Sequence, residues 1–395
     1  MLAVACFAAT SATAVAADDP PHLSSKSAIV VDAASGAVLF AQRPDAHRPI
    51  ASTTKLMTAL ITLGRTRPSE VFSAPEYDPE PGESVIGLRK GERMSVHDLL
   101  RALLLPSAND AAETLAVGIG GSVRKFVRDM NVKARALGLS ETHYSTPIGL
   151  DDPHNYSTAR DLAHLASLLM RQRSFARIVD LPRALLRTGA YPRLVQNRND
   201  LVGRYKFVDG VKTGHTADAG DVLVAAATAH GAHVISVVLG EPSEDQRDGD
   251  SLALLRYGLA QYHRVAAVVP GQTLKSVKVH WRAERAKLTA ARPVSLTLRR
   301  GTPLSVRVRA PERLDGPLPA RRRVGFVQVL VGGRLVRTVP LVTADAVPGA
   351  GFLRRLSAAL GGVLVTIAVL LVVVVGTLVA LRARALRLQR ARSAE

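Results

Sequence analysis

The chain has 395 residues, of which 47% are hydrophobic and 22% charged. It can bury a sizeable core, is not globally disordered, and at roughly 150 residues per domain holds two or three domains. The single cysteine, Cys6, excludes a disulfide framework and any cysteine-based zinc or iron–sulfur centre. The net charge of +19 belongs entirely to the back of the chain: Arg264 onward carries 24 basic and 5 acidic residues, and the front carries 28 of each. A pI near 10.8 fits a nucleic-acid partner only in the cytosol, and both ends of the chain point elsewhere.

Met1–Ala17 is apolar, closes on Ala14-Val15-Ala16 and is followed by Asp18-Asp19. The A-x-A form is that of a signal-peptidase site, although the basic residue expected ahead of the apolar run is missing. Ala28–Gln42 reads as a hairpin with its turn at Ala34-Ser35-Gly36. Helical patterns follow at Lys55–Leu63, His97–Leu105, Ala111–Val117, Val123–Leu137 and Ala159–Leu169. Strands are expected at Val208–Thr213, Asp221–Ala229 and His233–Leu239, then a helix over Ser251–Tyr262. Strands at both ends with helices between predict an α+β fold: an antiparallel sheet flanked by a helical cluster.

Beyond Pro270-Gly271 the pattern changes. Alternation at Ser295–Leu298, Leu304–Val308 and Val324–Leu330, and Gly332-Gly333 before Arg334–Val342, predict a small all-β module over 264–345. Its Arg-rich surface suits anionic lipid head groups or wall polymers, or is simply solvated. Residues 346–355 form a linker. Leu356–Leu381 is uncharged over 26 residues, enough for a transmembrane helix, with an Arg-rich tail over 382–395. With an export signal in front, the body is expected outside the cell, tethered by one span.

Three short motifs occur in order. Ser52-Thr53-Thr54-Lys55 is S-x-x-K, Ser107-Ala108-Asn109 is S-x-N, and Lys212-Thr213-Gly214 is K-T-G. Residues three apart on a helix share a face, so the Lys55 amine can reach the Ser52 hydroxyl. A serine needs an adjacent base, and a lysine is a base only when burial or a nearby cation, such as Lys212, lowers its pKa. In S-x-N, two residues of an extended segment point the same way. Ser107 can then relay a proton and Asn109 hold a substrate amide; alone, the motif reads better as a turn after Pro106 that caps the next helix. In K-T-G, Gly214 on a strand edge lets a substrate backbone approach. Ser122-Val123-Arg124-Lys125 is a second S-x-x-K. It opens an amphipathic helix after Gly120-Gly121, so Ser122 reads as an N-cap and Lys125 as a solvated side chain.

The ordered set resembles the serine D-alanyl-D-alanine carboxypeptidases, the low-molecular-mass penicillin-binding proteins. Gly82–Lys90, Leu99–Ala112, Gly149-Leu150-Asp151-Asp152, Tyr156–Asp161 and Asp209–Thr216 extend the likeness over roughly Ser25–His263. The resemblance implies a serine β-lactamase/DD-peptidase-like fold for residues 24–263. It also implies that Ser52 attacks the bond between two D-alanines of a peptidoglycan stem peptide while Lys55 takes its proton. Backbone N–H groups of Ser52 and His215 would form the oxyanion hole. Ser107 and Lys212 would assist the leaving D-alanine, and Thr213, Thr216 and Arg198 would meet the terminal carboxylate. Penicillins would acylate Ser52. A DD-endopeptidase acting on cross-links and a non-catalytic penicillin-binding sensor remain open alternatives. No cofactor, metal or nucleic acid is expected: there is no P-loop or dinucleotide fingerprint, and His143, His154 and His164 lack metal-ligand spacing.

Overall fold

In the computed structural model the described residues are 4–8, 19–359 and 362–392, and the chain divides between His263 and Arg264 into two compact units. The front unit is built on a five-stranded antiparallel sheet. Its strands are β1 (Ser27–Asp32), β2 (Val38–Gln42), β3 (Val208–Thr216), β4 (Gly220–Ala229) and β5 (Ala232–Glu241). The spatial order is β3-β4-β5-β1-β2. The hairpin from the start of the chain therefore completes a sheet whose other three strands arrive almost 170 residues later.

Side chains alternate across a strand, and both faces of this sheet are buried. Ile29 and Val31 join one core with Val224, Ile235 and Val237, while Ala28 and Val30 join another with Leu223, Ala225 and Val234. The first core is shared with α1 (Lys55–Arg65), α2 (Val96–Leu104), α3 (Asn109–Gly120), α4 (Val123–Ala136) and α5 (Ala159–Met170). A short α6 (Arg173–Val179) extends that cluster. The second core is covered by α7 (Glu244–Ala260) through Leu254 and Leu255. The α+β architecture expected from strands at both ends with helices between is the one found.

Local chemistry sets the helix starts. Ser95, Thr158 and Ser243 are extended residues whose hydroxyls accept from the backbone N–H three positions on, opening α2, α5 and α7. Helix α1 has no such cap. It grows out of a single 3-10 turn, Ala51–Thr54, and is buried from Lys55 through Thr62. A helix enclosed on all sides owes its position to packing rather than to capping.

The back unit is mainly β. Its larger sheet contains β6 (Lys275–Val279), β7 (Arg285–Ala290), β8 (Leu304–Arg309), β9 (Arg323–Val331) and β10 (Arg334–Thr343). Val277, Leu288, Val308, Val327, Val329 and Leu341 form its core. Strands β6 and β7 were not foreseen, because Lys and Arg occupy their outward positions and hide the alternation. Val4–Ala8 forms an edge strand on β8. The remainder of the expected leader, residues 1–3 and 9–17, lies outside the described residues.

The expected span beginning at Leu356 is arranged differently. Leu356 belongs to a short helix, α8 (Phe352–Ala359). The long helix α9 runs over Val363–Arg392 and is long and apolar enough to cross a membrane over Val363–Arg387. Gly362, at φ +129°, immediately precedes it, a conformation that only glycine adopts readily.

Candidate active site

Ser52 sits in the 3-10 turn and Lys55 is the first residue of α1, so the two face each other across one turn. Lys55 Nζ lies 2.8 Å from Ser52 Oγ, 2.6 Å from Asn109 Oδ1 and 2.8 Å from the Ile148 carbonyl oxygen. A neutral amine has two N–H donors and one lone pair. The two carbonyl-type oxygens take the donors and leave the lone pair to Ser52. The Lys55 side chain is fully buried, and burial holds its pKa down to about 7. The Glu83 and Asp110 carboxylates oppose that shift, while Arg198 adds to it.

The turn carrying Ser52 is tightly enclosed. Ala51 is held at φ +44°, an unusual conformation for a residue with a Cβ, costing about 1–2 kcal/mol. A Cβ on Gly214 would lie 2.8 Å from Ser52 N and 2.9 Å from Val222 Cγ2. A Cβ on Gly149 would fall 2.0 Å from the Ala51 carbonyl oxygen. Two glycines thus let β3 and the 149 loop close on the backbone around the serine.

The middle motif departs from the extended segment expected for it. Ser107 is left-handed at φ +66°, and Asn109 is the first residue of α3. Asn109 Nδ2 donates to Glu83 Oε2 at 2.7 Å, and the Tyr77 hydroxyl donates to the same oxygen. Ser107 Oγ is buried without a hydrogen-bond partner among the described residues. An unpaired buried hydroxyl is costly in a finished core and available to a ligand in a site.

Strand β3 forms the opposite wall, at the free edge of the sheet. Lys212 is buried, its amine donates to the Thr213 carbonyl at 2.8 Å, and its pKa is driven well below the ordinary value. Burial is the main cause, with the charges of Lys55, Arg198 and Arg247 adding to it. His215 is mostly exposed and lies 3.3 Å from the buried Asp221 carboxylate, which also faces Arg247 at 3.6 Å.

These walls enclose a cleft of about 1120 Å³. Ser52, Ser107, Asn109, Arg198, Thr213, Gly214, His215 and Thr216 all line it, with Lys55 and Lys212 buried beside them. Every residue singled out from the three motifs therefore gathers at one place. Glu83 and Arg247 also line the cleft, the Ile148 carbonyl meets Lys55, and Tyr77 stands behind Glu83; the motifs do not point to these four. Glu83 lies within the stretch Gly82–Lys90, and Gly149 marks the loop that supplies the Ile148 oxygen; neither spacing by itself reveals the contact. Among the described residues no three His, Cys, Asp or Glu side chains gather as a metal site. His143 instead meets the His154 carbonyl at 2.6 Å and stacks on Tyr156.

Residues 13–243 match the D-alanyl-D-alanine carboxypeptidase family model, more than half of the chain. The chain belongs to that family. Residues 262–349 match the C-terminal domain of penicillin-binding protein 5. The D-alanyl-D-alanine carboxypeptidase DacA of Haemophilus influenzae is 32% identical over 375 residues, covering 89% of this chain and 93% of that one. DacF of Bacillus subtilis is 29% identical over 346 residues, covering 85% and 89%. The crystal structure of penicillin-binding protein 5 from H. influenzae superposes with a TM-score of 0.59 at 30% identity, covering 83% of this chain and 99% of that one. This member of the family is thus a serine peptidase with a C-terminal all-β domain.

Proposed function

We propose that the protein removes the terminal D-alanine from peptidoglycan stem pentapeptides through an acyl-enzyme on Ser52. One observation carries the reading: the Ser52 hydroxyl meets the only free direction of a buried amine whose other two directions end on oxygen. Lys55 takes the Ser52 proton as Oγ attacks the penultimate D-alanine carbonyl. The oxyanion that forms is met by the backbone N–H groups of Ser52 and His215, a stabilisation strongest in a site shielded from water. The C–N bond then breaks, and the leaving amine takes the proton that Lys55 gained, passed on through Ser107 with Lys212 assisting. Asn109 and Gly214 hold the peptide backbone, and Thr213, Thr216 and Arg198 receive the terminal carboxylate. A guanidinium fork and two hydroxyls suit that group. Water cleaves the ester and frees Ser52.

Penicillins enter the same path and acylate Ser52. Helix α9 holds the protein in the cell membrane as a single span, with the catalytic unit on the outer side and the basic tail in the cytoplasm. The family's cell-wall substrate and the A-x-A leader support that orientation. The decisive assay incubates the protein with a D-Ala-D-Ala peptide and with a cross-linked muropeptide, and maps the penicillin adduct by mass spectrometry. Free D-alanine and an adduct on the peptide containing Ser52 are expected, both lost in Ser52→Ala. Cleavage of the cross-linked dimer alone, or an adduct on Ser122, would overturn the proposal.

A further inference from the structure

The segment over 77–88 is fastened to the first two residues of α3. The Ser84 carbonyl accepts from Asn109 N at 2.7 Å, and the Ile86 and Leu88 N–H groups donate to the Asp110 carboxylate at 3.2 and 2.9 Å. Glu83 stands immediately ahead of these anchors. Its Oε2 accepts from Asn109 Nδ2 at 2.7 Å and from the Tyr77 hydroxyl, and its Oε1 accepts from Glu80 N at 3.2 Å. Asn109 Oδ1 in turn lies 2.6 Å from Lys55 Nζ, and that amine 2.8 Å from Ser52 Oγ. Tyr77, Glu83, Asn109, Lys55 and Ser52 make one unbroken chain of hydrogen bonds.

The direction of this chain follows from donor and acceptor chemistry. An ionised carboxylate only accepts, so Asn109 must present its NH₂ to Glu83 and its oxygen to Lys55. Burial pushes the Glu83 carboxyl up, but the hydrogen bonds from Tyr77 and Asn109 outweigh it and hold the pKa below the usual range. With the amide turned over, two carbonyl-type oxygens would no longer flank the amine, and its lone pair would have no single outlet.

We propose that Glu83 is a positioning residue for acylation: its carboxylate locks the Asn109 amide with the oxygen on Lys55 and sets a negative charge behind that amine. The proposal rests on the assignment of Ser52 and Lys55 above. It gives the 77–88 segment a part in setting the working pH of the enzyme. The charged groups that Lys55 feels are Glu83 and Asp110, which favour the ammonium form, and Arg198, which disfavours it. Lys212, buried nearby, has its own pKa lowered in part by the charge of Lys55. Removing the Glu83 charge therefore eases loss of the Lys55 proton.

The test is the pH profile of penicillin acylation in wild type, Glu83→Gln, Glu83→Ala and Tyr77→Phe, with thermal unfolding recorded for each. Glu83→Gln keeps an oxygen for Asn109 but not the charge. Its half-maximal pH should fall by about half a unit to one unit, with its plateau rate within about threefold of wild type. Glu83→Ala should lower the plateau about tenfold to a hundredfold, because an amide donor loses its charged partner. Tyr77→Phe should show the same change in miniature. Unmoved midpoints and plateaus in both Glu83 variants would overturn the inference, as would equal slowing in both with an unmoved midpoint. If wild type forms no adduct on Ser52, the reading of the site itself fails, a distinct outcome.

Discussion

Two places in this chain have the same S-x-x-K motif and the same helical spacing, yet only one has the geometry of a nucleophile and its base. At Ser52 the serine stands in a 3-10 turn and Lys55 opens a helix enclosed by the core, with its amine on the serine hydroxyl. At Ser122 the residue is extended, its hydroxyl accepts from the Lys125 backbone N–H at 3.3 Å, and both residues are exposed. The second serine spends its oxygen on capping α4, and its lysine remains in water. The spacing is the same in both cases; desolvation, the main cause at Lys55, lowers the amine's pKa to about 7 and so leaves a free lone pair on about half of the molecules at neutrality.

The sharpest way to break this contrast is to remove each lysine. Lys55→Ala should lower penicillin acylation and D-alanine release about 10²–10⁴-fold, the usual worth of a positioned base, while Lys125→Ala leaves both unchanged. Gly214→Ala should come next, because the new Cβ would lie 2.8 Å from Ser52 N. A displacement of that kind costs on the order of 10²-fold in the acylation rate, with little change in circular dichroism. The pH profile then tests the desolvation argument. Below about 7 the Lys55 amine gains a proton and its lone pair is lost, so acylation should fall about tenfold per pH unit on the acid side. A limb near the ordinary lysine value would overturn the desolvation argument for Lys55. The smallest effect belongs to Ser122→Ala. Loss of the cap should cost about 1 kcal/mol of stability, visible as a lower thermal midpoint, with catalysis intact.

Legibility in the sequence follows how local each feature is. The first hairpin, the helices over 123–136 and 159–170, and the strands from 208 onward carry clear periodicity and lie where it places them. The small module is legible in its alternating strands, but the charged positions of β6 and β7 hide their alternation. The backbone of the middle motif is not legible in the sequence, which suggests an extended segment there. Left-handed Ser107 is imposed by the turn into α3 and has no local signature, since serine does not favour that conformation. Glu83 could not be paired with Asn109 by spacing, because 26 residues separate them and only the folded loop makes the contact.

The main helices and strands of the front unit, the three motifs, the basic back half and the long apolar helix are determined by the amino-acid sequence alone, because each is a local property of the chain. Only the tertiary structure decided which lysine is buried, which way the Asn109 amide faces and what stands behind it. Those depend on solvent exclusion and on partners brought from distant parts of the chain, and both arise when the helices close over the sheet.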